Sequence, residues 1–205
     1  MNKILFATHN QSKLNLYKNM IEPDGFTLIG LNDLNIEYDV IETGKDNKEI
    51  AVKKVREYMK FYNYITISED TGLYFEGVSD ADEPGVHVNS PKGIKLSEEE
   101  RLSYYKELIE KYGGLLNGYW TKTIAIADLN GNIYTFDYKI KKVFTSKLCK
   151  KRNPGYPLDS LSITPEYNKY TAELTDLENT ELNDKCNREI HEFLVKTLNQ
   201  ICKND

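Results

Sequence analysis

The spacing of apolar and polar residues along the chain predicts alternating strands and helices. Short apolar or alternating runs predict strands at residues 3–7, 26–31, 65–68, 73–75, 120–128 and 133–144. Apolar residues at helical spacing predict four helices, with apolar faces within residues 14–21, 51–62, 102–112 and 186–201. This order predicts a mixed α/β fold with a parallel first half and two lobes around a cleft at the carboxyl ends of the strands.

Turn and capping residues mark the ends of several elements. Asn130-Gly131 lies between two alternating runs and predicts a β-hairpin. Ser97 followed by Glu100 is the pattern of a capping box, which predicts the start of a helix. Residues 149–169 contain three prolines and have no clear period, which predicts a long loop. The chain has no repeat or linker, so residues 1–205 are predicted to form a single domain.

Composition and charge exclude several classes of protein. The chain carries 27 Lys and Arg residues against 32 Asp and Glu, a net charge of −5. This excess of acid argues against a nucleic-acid coat, whose affinity comes mainly from neutralising phosphates. No apolar run approaches the roughly 20 residues that span a bilayer, so no membrane partner is expected. The three cysteines show no CxxC spacing, which favours a cytoplasmic protein over a disulfide framework or a zinc site.

A polar cluster follows the first predicted strand. Thr8, Asn10 and Lys13 lie at a strand-to-helix turn, where free backbone N–H groups and the helix dipole favour phosphate oxygens. Lys13 would add a full positive charge in the first helical turn. An ordinary capped helix with a solvated lysine explains the same residues, and the cluster alone does not separate the two interpretations.

Two acidic clusters are candidates for holding a cation. Glu42-Thr43-Gly44 precedes the second helix, which carries Lys54, and Glu69-Asp70-Thr71-Gly72 directly follows the third strand. Carboxylates followed by a hydroxyl and a glycine are suited to a hard cation. A solvated turn is the alternative for either cluster taken alone.

If this cleft binds a nucleotide, the acids require a metal. A carboxylate about 4 Å from a phosphate charge costs on the order of 4 kcal/mol at an effective dielectric of roughly 20. Three acids facing a polyphosphate would therefore expel it unless Mg²⁺ lies between them. The metal would neutralise the leaving diphosphate, and one carboxylate would orient or deprotonate a water for in-line attack.

Several separated blocks resemble, in the same order, the inosine/xanthosine triphosphate pyrophosphatase (ITPase) family. They are KILFATHNQSK from residue 3, IETGKDNKEIAVKKVR from residue 41, SEDTGL from residue 68, PGVH from residue 84 and TAEL from residue 171. Members of that family hydrolyse non-standard purine nucleoside triphosphates to monophosphate and diphosphate. The resemblance implies this activity, an elongated mixed α/β fold with helices on both sides of the sheet, two lobes around a central cleft, and a homodimer.

The resemblance also implies roles for individual residues. It makes Asp70 the general base and a ligand of Mg²⁺, with Glu42 as a second metal ligand. The residues that it assigns to the phosphates and the sugar are Thr8, Asn10, Lys13 and Thr71, with Lys54 supporting the phosphate side.

The second half of the chain departs from the family pattern. The family's Gly-Phe-Gly-Tyr-Asp-Pro segment, against which the purine packs, corresponds to residues 153–159, which keep Tyr156 but lose the Phe. The family's Ser-His-Arg, which reads the 6-oxo edge of the base, corresponds to Cys186-Asn187-Arg188. Tyr156 and Arg188 therefore remain as the candidates for binding the base. We expect retained triphosphate hydrolysis with an altered or relaxed choice of base.

Three functions stay open at this stage. The leading hypothesis is a Mg²⁺-dependent pyrophosphatase that acts on ITP, dITP and XTP. A non-catalytic nucleotide-binding relative is a second possibility, although retention of Glu42, Asp70 and Lys13 together argues against it, because binding needs no base beside the metal. A hydrolase of another phosphorylated substrate on the same scaffold is the third.

Overall fold

The computed structural model describes residues 3–204 and confirms a mixed α/β fold. The strands are β1 (Lys3–Phe6), β2 (Thr27–Gly30), β3 (Ile65–Phe75), β4 (Leu115–Ala127), β5 (Ile133–Thr145), β6 (Ser162–Thr164) and β7 (Lys169–Tyr170). The α-helices are α1 (Gln11–Ile21), α2 (Asn47–Phe61), α3 (Glu98–Lys111) and α4 (Asp176–Asn204). Within these described residues, no helix combines the length and the apolar character needed to span a membrane.

The strands form a seven-stranded sheet in the order β2-β1-β3-β4-β5-β6-β7. β1 is parallel to both neighbours, with Ile4 paired to Leu28 of β2 and to Ile65 of β3. Because parallel neighbours require a crossover connection, α1 and α2 fall between these strands along the chain. β6 runs antiparallel to β5 and to β7, so the sheet is parallel in its first part and antiparallel at its far edge.

The chain packs into two compact units. Unit 1 comprises residues 3–70, 122–138 and 183–204, and unit 2 comprises residues 71–121 and 139–182. A single domain over the whole chain and a cleft between two lobes both stay predictions.

In unit 1, alternate residues of β3 lie on opposite faces of the sheet. Ile65 and Ile67 belong to a buried cluster with residues of α1 and α4. Ser68 lies on the other face, where its hydroxyl donates to the carbonyl of Ala51 in α2 at 2.7 Å. This alternation is the ordinary two-residue period of a strand. It confirms helices on both sides of the sheet, and it assigns even-numbered residues of β3 to the α2 side.

In unit 2, α3 packs on the sheet through its apolar face. Tyr105 and Ile109 are fully buried beside Phe75 of β3 and Phe144 of β5. The predicted capping box is confirmed: the Ser97 side chain accepts from the backbone N–H at position 100, whose own side chain accepts from the Ser97 N–H.

Ser97→Ala is expected to lower the free energy of unfolding by about 1 kcal/mol, because it removes the side-chain acceptor from the first turn of α3. Chemical denaturation followed by circular dichroism measures this change. Ser103→Ala is the matched control, since Ser103 is exposed on the same helix. An equal loss of stability in both variants would contradict a specific capping role.

Several element boundaries differ from the sequence prediction, including the start of β4 at Leu115 rather than at residue 120. β3 continues without interruption through residues 69–72, which were predicted to follow the strand; β3 lies between β1 and β4 in the sheet, and residues 69–72 are buried or half-buried. The predicted loop at 149–169 contains the short strand β6 and the start of β7. α4 begins at Asp176, ten residues before the first apolar position of the predicted helix. The apolar pattern did not reveal this start, because the first turns of α4 are largely polar and exposed.

Candidate active site

The turn between β1 and α1 is held by its own polar side chains. The Asn10 side chain caps α1 by accepting from the Lys13 N–H at 3.1 Å, and Thr8 Oγ1 accepts from the Asn10 N–H at 3.1 Å. Lys13 Nζ lies 3.0 Å from a carboxylate oxygen of Glu69. The Lys13 side chain is 39% exposed, so its ammonium group is paired and still accessible to solvent.

Glu69 is a buried carboxylate with a hydrogen bond and an ion pair. Its side chain is only 6% exposed, and Tyr17 of α1 donates to it at 2.6 Å. Burial raises the pKa of Glu69. The Lys13 charge, the Tyr17 hydroxyl and the Lys122 charge together lower it by more, so the net shift is downward. Glu69 is therefore ionised at neutral pH, and its charge is balanced on the α1 side of the sheet.

Asp70 is adjacent to Glu69 in the chain but has different partners. Lys54 Nζ of α2 donates to Asp70 Oδ2 at 2.8 Å and lies 2.5 Å from Glu42 Oε1. Burial lowers the pKa of Lys54, but Asp70 and Glu42 raise it by more, so the ammonium form is stabilised. One cation thus holds together two carboxylates that are 28 positions apart in the sequence.

A small cavity lies beside this ion cluster within unit 1. It has a volume of about 160 Å³, and its lining includes Thr8, His9, Glu42 and Lys54. His9 Nδ1 donates to Asn32 Oδ1 at 3.0 Å, which fixes the ring, and His9 Nε2 lies 3.4 Å from Asp39. The cavity therefore brings together a residue of the opening turn, an acid of the second cluster and the lysine of α2.

The donor set suits a magnesium ion that is shared with a substrate. The described part of the chain contains no group of three or more His, Cys, Asp or Glu side chains placed to hold a metal by themselves. Mg²⁺, however, is usually held by one or two carboxylates together with substrate phosphates and water. Glu42 and Asp70 supply two such carboxylates, and both contact the ammonium group of Lys54. Their side chains are therefore close enough together to fit this mode of binding.

A second cavity lies within unit 2, with a volume of about 280 Å³. Tyr156 and Trp120 contribute aromatic rings to its lining, and Thr71 lines it as well. Tyr156 is 69% exposed, which leaves much of its ring accessible. Asn89, Arg101 and Asp159 add further polar side chains to the lining.

The structure brings most, but not all, of the predicted site residues together. Thr8, Glu42, Lys54 and Asp70 are linked through the unit 1 cavity and the Lys54 ion pairs. Asn10 and Lys13 lie in the turn that Thr8 begins, although Lys13 pairs with Glu69 rather than with the metal candidates. The lining residues of unit 2 include Thr71 and Tyr156. Arg188 is exposed on α4 and lines neither of these two cavities.

Sequence reasoning missed several residues near these sites. Tyr17 was assigned only to the apolar face of α1, and a hydroxyl pointing at a buried carboxylate leaves no trace in a helical pattern. Lys122 did leave a signal, since it is a charged residue inside the predicted strand at 120–128. Arg101 and Asn89 belong to segments that carry no recognisable motif.

Comparison with known proteins relates this chain to the Ham1 family and to a curated pyrophosphatase. Residues 4–186 match the model of the Ham1 family. The dITP/XTP pyrophosphatase of Borreliella burgdorferi (strain ZS7) is 29% identical, over 97% of this chain and 98% of its own length.

Two solved structures resemble this fold over nearly all of their length. The Staphylococcus aureus Ham1 protein has a TM-score of 0.77 at 23% identity and covers 94% of this chain and 98% of its own. A Mycobacterium abscessus nucleoside-triphosphatase, also described as a dITP/XTP pyrophosphatase, has a TM-score of 0.78 at 21% identity with the same coverage. At this level of identity, the likeness establishes a common fold.

Proposed function

Because the family model spans most of its length, the chain belongs to the Ham1 family, and on that premise we propose that it is a Mg²⁺-dependent pyrophosphatase of non-standard purine nucleoside triphosphates. As a member of this family, the chain is an enzyme that hydrolyses nucleoside triphosphates. The ITPase resemblance inferred from the sequence blocks is thereby confirmed. The metal and the choice of ITP, dITP or XTP are the finer parts of the proposal.

The convergence of Glu42 and Asp70 on Lys54 carries the proposal. Hydrolysis to monophosphate and diphosphate requires a base for the attacking water and a cation against the phosphates. Asp70 is the base, since its side chain is 11% exposed and held in place by Lys54 at 2.8 Å. Glu42 and Asp70 would hold Mg²⁺, which would supply positive charge to the phosphates and the leaving diphosphate.

Charge balance supports the need for the metal. The three carboxylates of Glu42, Glu69 and Asp70 face three ammonium groups, those of Lys13, Lys54 and Lys122. The protein cluster therefore brings no excess positive charge to a triphosphate. A like-charge contact costs on the order of 4 kcal/mol at about 4 Å, so the substrate requires a divalent cation to bind beside these acids.

The remaining predicted residues bind and orient the substrate. Thr8, Asn10 and Lys13 present hydroxyl, amide and ammonium donors at the N-terminus of α1, where the helix dipole favours phosphate oxygens. Thr71 follows Asp70 directly in the chain and offers a further hydroxyl. Lys54 holds the carboxylates of Glu42 and Asp70 close together and contributes a positive charge on the phosphate side.

A nucleotide panel tests the proposed function. ITP, dITP, XTP, dUTP, GTP and ATP are incubated with Mg²⁺, or with EDTA, and diphosphate and orthophosphate are quantified separately. We expect diphosphate from ITP, dITP or XTP, and its loss with EDTA. Orthophosphate alone would instead indicate a hydrolase of another phosphorylated substrate, and binding without any product would indicate a non-catalytic relative.

The proposal extends to assembly and location. The homodimer implied by the family resemblance and the cytoplasmic location inferred from the cysteine pattern both stay predictions. Light scattering coupled to gel filtration measures the mass of the particle, and a mass of 23.7 kDa would contradict the dimer.

A further inference from the structure

Glu42, the proposed second metal ligand, lies in a loop that has few restraints of its own. The described residues 35–46, which we call the Glu42 loop, form neither helix nor strand and lead into α2. The side chains of Ile36 and Val40 are buried in the core of unit 1, but those at positions 41–46 are exposed or half-buried. The position of Glu42 therefore depends on polar contacts on either side of it.

The contacts at and after Glu42 restrain it only in part. The Glu42 side chain is 58% exposed, and the Lys54 ammonium that it contacts is shared with Asp70. An ion pair that is open to water contributes little to stability, because solvent screens it. Beyond Glu42, Lys53 Nζ donates to Thr43 Oγ1 at 2.6 Å on the exposed surface. Both contacts leave the chain before Glu42 without a polar restraint.

His9 supplies a restraint on that side. Its Nδ1 donates to Asn32 Oδ1 at 3.0 Å, and its carbonyl accepts from Asn32 Nδ2 at 3.4 Å. The ring is thereby held between the turn after β1 and the turn that precedes the Glu42 loop. Among the described residues, His9 Nε2 is buried without a hydrogen-bond partner, and it lies 3.4 Å from Asp39 Oδ1.

The contact between His9 and Asp39 depends on charge. Since Nδ1 gives its proton to Asn32, a neutral ring would direct the lone pair of Nε2 toward the Asp39 carboxylate. A second proton on Nε2 turns this repulsion into attraction. The protonated ring therefore connects the turn after β1 to the Glu42 loop, without the directional geometry of a hydrogen bond.

We propose that His9 is a positioning residue for the metal ligand: by bridging Asn32 and Asp39 it tethers the Glu42 loop and keeps Glu42 beside Asp70. Asp39 lies three residues before Glu42, so a shift of Asp39 moves the backbone that carries the carboxylate. His9 acts through the loop and does not itself contact the metal. The inference rests on the proposed function for the role of Glu42, but the tether can be measured without metal or nucleotide.

Three variants and one control test the tether in the intact chain. His9→Asn keeps an amide near the position of Nδ1 and removes the group that reaches Asp39. Asp39→Asn keeps the shape of the side chain and removes its charge, and the third variant combines the two changes. His191→Asn is the matched control, because His191 Nε2 lies 2.8 Å from Asp24 in a His–Asp pair elsewhere in unit 1.

Trypsin cleavage after Lys45 measures opening of the Glu42 loop in the metal-free chain, since Lys45 is exposed within that loop. Lys150, which is exposed in unit 2, is the internal control in the same digest. We expect both single variants to be cleaved after Lys45 about two- to fivefold faster than the wild type, the effect of one solvent-exposed ion pair. Cleavage after Lys150 should stay unchanged.

The double variant should be cleaved no faster than either single variant, because each change removes the same contact. His191→Asn should behave as the wild type at both lysines. Unchanged cleavage after Lys45 in the folded single variants, or additive effects in the double variant, would overturn the inference. If His9→Asn fails to fold, Asp39→Asn decides by the same criterion, since Asp39 is exposed.

Metal binding tests the consequence for Glu42. The affinity for Mn²⁺ alone is measured by electron paramagnetic resonance, since Mn²⁺ accepts the same oxygen ligands as Mg²⁺. We expect the Kd for Mn²⁺, and the Mg²⁺ concentration that gives half-maximal hydrolysis of dITP, to rise about two- to fivefold in both single variants. At saturating Mg²⁺, kcat should stay within about twofold of the wild type. A collapse of kcat instead would show that His9 acts in the chemistry and would overturn its positioning role.

The outcomes separate this inference from the proposed function. If the chain forms no diphosphate from any nucleotide, but cleavage after Lys45 and the Kd for Mn²⁺ follow the His9–Asp39 pair, only the hydrolytic proposal fails. If it forms diphosphate while all variants match the wild type in both measurements, only the role of His9 fails. Faster cleavage with an unchanged Kd would show a tether that does not position Glu42, and this too would overturn the inference.

Discussion

Asp70→Asn is expected to lower kcat for dITP by about a thousandfold, within the range for loss of a general base. The amide matches the carboxylate in shape, but it cannot take a proton from water. Lys54 retains its contact with Glu42 at 2.5 Å, so the surrounding cluster should stay in place. Because Glu42, the amide oxygen at position 70 and the substrate phosphates can still contact the ion, we expect Mg²⁺-dependent binding of dITP to survive in a variant that has almost no turnover.

Release of diphosphate measures kcat in this variant, and isothermal titration calorimetry measures binding of dITP with and without Mg²⁺. Asp184→Asn is the matched control, because this aspartate is exposed on α4. A rate near that of the wild type would remove Asp70 from its assigned role. Equal losses in both variants would point to a nonspecific effect on the protein.

Lys13→Met is expected to weaken both phosphate binding and the fold. The lost charge-assisted contact with phosphate should raise KM by about 10- to 150-fold, equivalent to roughly 1.5–3 kcal/mol. The variant also leaves Glu69 without its ion pair, and we expect the free energy of unfolding to fall by about 2 kcal/mol. This is less than the roughly 3–5 kcal/mol for a broken, fully buried pair, because the Lys13 side chain is 39% exposed and screened by solvent.

A double variant separates these two effects. Glu69→Gln removes the charge that Lys13 balances, so Lys13→Met/Glu69→Gln should recover most of the stability but none of the phosphate affinity. Denaturation curves report the first property and KM for dITP the second. Recovery of both would mean that Lys13 acts on the substrate only through Glu69, and an unchanged KM in Lys13→Met would contradict the phosphate contact.

The pH dependence of stability gives an independent check on the same pair. The pKa of Glu69 is lowered in the folded state. Its contribution to the free energy of unfolding is therefore full above the ordinary pKa of 4.5 and is lost as pH falls through the lowered pKa. Lys13→Met removes part of this contribution. The difference in unfolding free energy between wild type and variant should therefore narrow as pH falls below about 4.5.

Local sequence patterns sufficed for the first part of the fold. The run from Lys3 to Ala7 and the apolar face of α1 each follow a single period, and both elements form as predicted. The segment at 149–169 illustrates the limit of this reasoning. β6 is only three residues long, and it exists because Val143 and Phe144 of β5 pair with it, a long-range interaction that no local period reveals.

Some residues of the candidate site were predictable from local sequence patterns, and others were found only in the structure. Glu42, Lys54 and Asp70 were accessible from the sequence because they lie in blocks of recognisable pattern, and the structure brings them into contact. Arg101 and Asp159 share a cavity only through the folding of unit 2: Arg101 lies in no motif, and Asp159 ends the 153–159 segment that departs from the family pattern. The partnership of Lys13 with Glu69 also required the structure, since it depends on which face of β3 each acid occupies.

The unbroken course of β3 through Glu69 and Asp70 gives the enzyme two electrostatic environments one residue apart. Since neighbouring positions in a strand lie on opposite sides, loss or gain of one residue upstream in β3 would exchange the two acids. Glu69 would then face Lys54, and Asp70, the proposed base, would lie against Tyr17. The partners of both acids therefore depend on the number of residues in this strand, since Lys13 and Tyr17 meet one face and Lys54 meets the other.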